Sequence, residues 1–135
     1  MSPESKMASF EDGSKYAALR SEAQSTDFAL LRKFKSVTSQ NVRNGHWRIL
    51  LHPETVAVAG SDEDVLKLFR SMALLLLLEV EQIVDNCSFD IVYINCGTYD
   101  VSRNLIAMKE WLGAAPGRVW KKFVSMHIFY PDGKI

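Results

Sequence analysis

The last third of the chain has the pattern of a strand, a helix and a second strand. Residues 89–94 form a nearly continuous apolar run, which is typical of a strand covered on both faces of a sheet. A helical segment around Trp111 follows, and Gly113 and Pro116 end it. Residues 124–130 then alternate between two faces, as in a second strand. Two strands joined by a helix predict a βαβ unit with parallel strands and a right-handed crossover.

A long helix is predicted upstream of this unit. Ser61 is followed three residues later by Asp64, a weak form of the capping box. Apolar residues recur at helical spacing between positions 65 and 83, and the run 74–78 adds apolar groups on the remaining faces. We therefore expect a helix buried on more than one side, against the sheet and beneath a second helix.

The middle of the chain predicts a pair of strands. Residues 47–51 and 55–59 both suit strands, and Pro53 between them marks a turn, so a hairpin is the simplest interpretation. Residues 36–45 are polar and are interpreted as a loop.

The start of the chain predicts a mobile leader and two short helices. Residues 1–13 are rich in Ser, Pro and Gly, and residues 14–20 suit a short helix. Thr26 or Asp27 suits the N-cap of a second helix over residues 28–35. We interpret this second helix as docked on its own domain rather than on a membrane surface or a partner.

Length and composition are those of one globular domain. The chain has 135 residues, of which 47% are hydrophobic, and its formal net charge is zero. A balanced charge argues against a dedicated nucleic-acid binder, which usually has a strong basic excess. We divide the chain into a flexible leader with short N-terminal helices (residues 1–40) and an α/β core (residues 41–135).

Cysteine usage and the apolar runs favour a cytoplasmic setting. The N-terminus lacks the apolar segment of a signal peptide. The most apolar run, residues 72–78, is far shorter than the roughly 20 residues of a membrane span. Cys87 and Cys96 are therefore expected as free thiols in a reducing compartment.

The sequence contains no strong catalytic, cofactor or metal motif. Cys96 lies at the carboxyl end of a predicted strand, but six residues separate it from Arg103, whereas a phosphatase loop has five. The three histidines lack metal-ligand spacing, and Asp90 and Asp100 are too isolated to be nominated as an acid–base pair. We therefore expect a protein that is not an enzyme, with a small hydrolase that uses Cys96 and a histidine as the rival.

The order of these elements resembles the CRAL-TRIO (Sec14-like) fold, most closely the branch found in Rho GTPase-activating proteins and BCH scaffolds. Residues 92–95 (Val-Tyr-Ile-Asn) stand at the family's first strand, and Trp111-Leu112 stands in the helix. Lys121-Lys122 stands at its basic pair, and Phe129-Tyr130-Pro131 at the end of the second strand. Asn95 and Tyr130 occupy the positions of two histidines of the branch. The family's later strands and gate helix have no counterpart here, so an incomplete core is expected.

This resemblance implies a Sec14-like βαβ core with helices on both faces, preceded by the N-terminal helices. It also implies a non-enzymatic scaffold that binds proteins and is linked to small GTPase regulation. Binding or transfer of a small apolar lipid is the alternative. We expect a protein partner, or self-association, at the C-terminal edge strand. Tyr93, Asn95, Trp111, His127 and Tyr130 are the candidate ligand- or partner-binding residues.

Overall fold

The computed structural model describes residues 3–53, 61–94 and 101–129. In chain order, the elements are α1 (Pro3–Gln24), α2 (Ala29–Lys33), β1 (Val37–Arg43), β2 (His46–Leu51), α3 (Asp62–Ile83), β3 (Ser88–Ile94), α4 (Val101–Ala114), α5 (Gly117–Trp120) and β4 (Phe123–Phe129).

The four strands form one mixed sheet in the order β1-β2-β3-β4. β1 and β2 are antiparallel, whereas β2, β3 and β4 run parallel to one another. The parallel pair of β3 and β4, with α4 as its crossover, confirms the predicted βαβ unit. The α/β class is confirmed as well.

The described helices lie together on one face of this sheet. Ser39 of β1 donates a hydrogen bond of 3.4 Å to Glu79 of α3, and α4 shares a cavity with Met126 of β4. Ser39 and Met126 are on the same face, because their partners Ile49 and Ile91 are paired with each other in register. We call the opposite side the second face.

The prediction of helices on both faces is wrong for the described residues, where none lies against the second face. The steps from β2 to β3 and from β3 to β4 run in the same direction across the sheet. Two right-handed crossovers that step in one direction place their helices on the same side.

α3 is buried on more than one side, as predicted. The hydroxyl of Ser61 accepts a hydrogen bond of 3.2 Å from the backbone N–H of Asp64, which confirms the cap. Residues 74–77 of the leucine run are all buried. The sheet covers one side of α3, and α1 and α4 pack against it from the other side. This sandwiched position explains why the helix is apolar on more than one face.

α1 is attached to this core by a buried tyrosine. Tyr16 is fully buried, and its O–H donates to the carboxylate of Glu81 in α3. Arg118 of α5 donates to the same carboxylate at 2.8 Å. Burial, and then the bond to Glu81, raise the pKa of Tyr16 above its usual range. The helix begins at Pro3 and bends at Gly13, whereas residues 1–13 were predicted as a mobile leader.

The polar segment 36–45 was predicted as a loop, and this is wrong. Most of it is β1, which pairs with β2 through the tight turn Asn44-Gly45. Gly45 has a φ of +79°, which glycine adopts without strain. β1 needs no apolar stripe, because it is an edge strand whose last four residues are exposed. The predicted domain boundary after residue 40 falls inside β1, and the predicted strand 55–59 lies outside the described residues.

Candidate interaction site at the β4 edge

β4 is one edge of the described sheet. Its one strand neighbour among the described residues is β3. The strand contains no Lys, Arg, Asp or Glu, although edge strands usually carry charges that discourage pairing with another chain. Val124 and Phe129 are 59% and 55% exposed, and Ile128 is 37% exposed. Within the described sheet, this edge therefore presents both backbone groups and apolar side chains.

The pairing of β4 is irregular at its start. Phe123 pairs with Phe89, whereas Ser125 already pairs with Asp90, so that Val124 is bulged out of the register. The remaining residues pair without a shift as far as Phe129. Residues 125–129 are therefore the regular part of the edge that another strand could extend.

An apolar groove lies beside this edge, between α4, α5 and β4. Its volume is about 440 Å³. The lining residues are Met108, Lys109, Leu112, Gly113, Trp120 and Met126. All but Lys109 are apolar, so the groove suits an apolar side chain or a small apolar molecule.

Trp120 stands at the rim of the groove. It is 45% exposed, and its ring meets Phe123 edge to face with ring centres 5.6 Å apart. Phe123 in turn meets the fully buried Phe89 in the same geometry at 5.5 Å. This chain of rings holds Trp120 in place, which is the arrangement expected of a side chain that anchors a binding surface.

The predicted binding residues are placed in different surroundings. Tyr93 is fully buried, and Trp111 is 1% exposed. Both belong to the core, and neither reaches a partner at the surface. His127 is exposed on the second face, with its Nε2 at 2.9 Å from the hydroxyl of Ser125. Asn95 and Tyr130 lie outside the described residues, as does Cys96, the nucleophile of the rival hydrolase.

A polar cluster on the second face was missed by the sequence reasoning. Nδ1 of His46 lies 2.7 Å from the hydroxyl of Ser88, and its Nε2 lies 3.1 Å from Asp90 Oδ2. Arg48 donates to both oxygens of Asp90, at 3.0 and 3.3 Å. Asp90 was not nominated for an acid–base pair with Asp100, and Asp100 lies outside the described residues. The register of β2 beside β3 instead brings His46 and Arg48 to Asp90. The signal in the sequence was the period of two that places His46 with Arg48, and Ser88 with Asp90, on common faces.

The cluster also sets the ionisation of Asp90. Burial alone would raise the pKa of this carboxyl, but hydrogen bonds from Arg48 and His46, together with their charges, hold it below its usual range. The hydrogen bond and the charge of Asp90 raise the pKa of Arg48 in turn. Asp90 is therefore a carboxylate of β3 that accepts hydrogen bonds from side chains of β2 and so joins these two central strands.

The order Ser88–His46–Asp90 is that of an acyl-transfer triad, but the imidazole is reversed. Its Nδ1 faces the hydroxyl and its Nε2 faces the carboxylate, whereas in such triads Nε2 faces the hydroxyl. A hydrolase of this type also needs N–H donors for the oxyanion. The backbone N–H of Ser88 donates to Gly45 at 2.9 Å, and that of Phe89 donates to Lys122 at 2.8 Å. The amides nearest to the hydroxyl are thus already used by the sheet, and the cluster is best explained as a cross-strand network.

A second cavity, of about 310 Å³, lies between α3 and the first two strands. Its lining is mixed, and consists of Ser39, Trp47, Glu79, Gln82, Ile83, Asn86 and Cys87. No group of three or more His, Cys, Asp or Glu side chains suited to a metal ion occurs within the described ranges. None of the helices in the described part of the chain has the length and apolar character to cross a bilayer.

No family model, no curated protein and no solved structure matches this chain.

Proposed function

We propose that this chain is a non-enzymatic protein-binding module that receives a strand of another protein, or of a second copy, along β4. The observation that carries the proposal is an uncharged edge strand with three exposed apolar side chains next to an apolar groove. Added strands gain affinity from main-chain hydrogen bonds and specificity from pockets for alternate side chains.

The groove gives the proposed interface its specificity. A strand paired to residues 125–129 runs beside α4 and places an apolar side chain over Met126. Trp120 at the rim then packs against that side chain. Aromatic anchors beside a pocket carry most of the binding energy in many interfaces.

The resemblance to the BCH branch gives a narrower version of the same proposal. In that version the bound protein is a small GTPase or one of its regulators. We also propose the cytoplasm as the location of this module.

Binding of a small apolar molecule, such as a lipid chain, is the second candidate function. The groove favours it, because about 440 Å³ is within the range of small-molecule sites, roughly 300–1,000 Å³. This function needs the groove and does not need the edge of β4.

Native mass spectrometry of the purified chain tests the first proposal. Self-association through β4 predicts a dimer without adduct, and the pair of substitutions Val124→Lys and Ile128→Lys should return it to monomer. Val42→Lys is the matched control, because Val42 lies on the opposite edge strand and is 39% exposed. A chain that stays monomeric at high concentration, with β4 amides protected from hydrogen exchange, would contradict the proposal.

Substitutions at Gly113 test the binding of a small molecule in the groove separately. Gly113 lines the groove, and a Cβ at this position would meet no atom of another element within 4 Å. Gly113→Leu should fill the groove and remove a bound apolar molecule, which native spectra show as a lost adduct. Gly113→Ala is the control that leaves the groove open. If the adduct is still present in the native spectrum of Gly113→Leu, binding of a small molecule in the groove is contradicted.

A further inference from the structure

The short helix α2 is attached to the domain by one side and exposes apolar side chains on the other. Phe28 and Leu31 are 6% and 2% exposed, so they anchor the segment in the core. Leu30 and Phe34 are each 41% exposed. The predicted docking of this helix on its own domain therefore accounts for only two of its four large apolar side chains.

Three exposed cations lie in the same segment as these two side chains. Arg32, Lys33 and Lys35 are all exposed, and the ammonium group of Lys33 lies 5.9 Å from the ring centre of Phe34. Residues 28–53 contain five Lys or Arg and no Asp or Glu. The nearest preceding acid, Asp27, accepts a hydrogen bond of 2.9 Å from the backbone N–H of Ala29, at the other end of the helix.

Lys35 is held in a backbone conformation that favours glycine. Its φ is +53°, in the left-handed region. The N–H of Ser36 donates to Leu31 at 2.9 Å and that of Lys35 donates to Arg32 at 3.1 Å, which together form a Schellman motif. Glycine is the usual residue at this position because it carries no Cβ. The chain instead has a cation at this position, directly after Phe34 in sequence, at a conformational cost.

We propose that Leu30, Arg32, Lys33, Phe34 and Lys35, here called the α2 patch, dock on an anionic lipid surface. Apolar side chains enter the boundary between headgroups and acyl chains, while the flexible cations meet the lipid phosphates and carboxylates. Each Lys or Arg near such a surface strengthens binding about fivefold. A patch of this size gives weak, reversible binding that falls as salt rises. The proposal does not depend on the β4 edge.

Vesicle co-sedimentation tests the proposal with the full chain. The vesicles are phosphatidylcholine alone, or phosphatidylcholine with phosphatidylserine. We expect binding to the anionic vesicles, little binding to the neutral ones, and weaker binding at higher salt. Phe34→Ser should weaken binding about tenfold, since it removes the largest apolar group of the patch.

Lys35→Gly distinguishes a direct effect on the α2 patch from an effect on folding. It removes a cation and relieves the backbone, so binding should weaken about fivefold while the thermal midpoint rises by about 3 °C. If poor folding caused the loss of binding, vesicle binding and the thermal midpoint would both fall.

The matched controls are Leu66→Ser and Lys67→Ser in α3. They remove an apolar side chain that is 53% exposed and a cation whose side chain is 71% exposed, at a different site. Neither should change vesicle binding by more than about twofold. The proposal is overturned if the anionic vesicles bind no better than the neutral ones. It is equally overturned if Phe34→Ser and Lys35→Gly bind like the wild type, or if the α3 controls lose as much.

Discussion

The two edge strands of the described sheet differ in charge and in exposed side chains. β1 is polar over most of its length, ends at Arg43, and turns back into β2 through Asn44-Gly45. β4 carries no charged side chain and exposes Val124, Ile128 and Phe129. Both strands have one irregularity in register, so bulges do not distinguish them.

This difference is the basis for proposing β4, and not β1, as the edge that receives a strand. Polar and charged side chains on an edge strand discourage pairing, whereas an uncharged apolar edge favours it. The neighbourhoods agree with this, because the apolar groove lies beside β4 and the cavity near β1 has a mixed lining. In the proposed function, β1 is therefore the edge that discourages pairing and β4 is the edge that receives a strand.

The largest effect is expected at Asp90, which joins the β2 side of the sheet to the β3 side. Asp90→Ala leaves His46 and Arg48 without their acceptor and should lower the free energy of unfolding by about 3 kcal/mol. Denaturant unfolding measures this. Ser125→Ala, on the same face, is the control and should cost less than about 0.5 kcal/mol. Equal, small losses in both variants would show that the network does not join the two sides.

The same carboxylate predicts an acid-sensitive sheet. The folded-state pKa of Asp90 is lowered, so its contribution is present above the unfolded value of about 3.9 and is lost as pH falls through the folded value. The difference in stability between the wild type and Asp90→Asn should therefore shrink as pH falls below about 4. Denaturation midpoints of both proteins, measured across this pH range, test the direction of this change. A difference that stays constant in acid contradicts it.

The β1 edge depends on its turn. Gly45→Ala places a Cβ in the left-handed region and should cost about 1 kcal/mol, although no atom lies within 4 Å of that Cβ. Gly113→Ala, in helix α4, should have the opposite sign and stabilise by about 0.5 kcal/mol or more. Thermal unfolding of both variants compares them directly. Stabilisation by Gly45→Ala would show that the turn tolerates other geometries.

A small change in stability is expected for the exposed side chains of the β4 edge. Val124→Lys and Ile128→Lys together should alter the free energy of unfolding by only about 0.5 kcal/mol, because both side chains are exposed. The same pair should abolish association, as described above. A large loss of stability in dilute, monomeric protein would place these side chains in the fold rather than in an interface. Val42→Lys on β1 again serves as the reference.

Several elements follow directly from the sequence. The long helix α3 was predicted from the Ser61 cap and the helical spacing of its apolar residues, and both are confirmed. β3 and β4 were predicted as parallel neighbours because a helix separates two β-rich runs, and this is confirmed too. These signals are local, and each needs only the period of the residues along one segment.

β1 shows where the local signal was present and was not used. Asn44-Gly45 is a strong hairpin signal, but the polar residues before it were interpreted as a loop. An edge strand that contributes one buried residue has little hydrophobic pattern. The predicted hairpin paired β2 with residues 55–59, which lie outside the described residues, whereas both edges of β2 are occupied by β1 and β3.

The candidate site was partly accessible from the sequence. The β4 strand was predicted, and so was its place at an edge. The groove was not, because it depends on how α4 and α5 lie against Met126. Tyr93 and Trp111 have types common at binding sites, yet both are in the core. Residue type alone does not separate a buried aromatic side chain from an anchoring one.

The sequence by itself determined the helices and strands of the second half, their parallel pairing and the lack of charge on β4. Period, caps and composition are properties of neighbouring residues, so they can be read along the chain. Only the tertiary structure decided that the described helices share one face, that Asp90 meets His46 and Arg48, and that Trp120 borders a groove. Those features depend on register and on crossover direction, which bring together residues far apart in sequence.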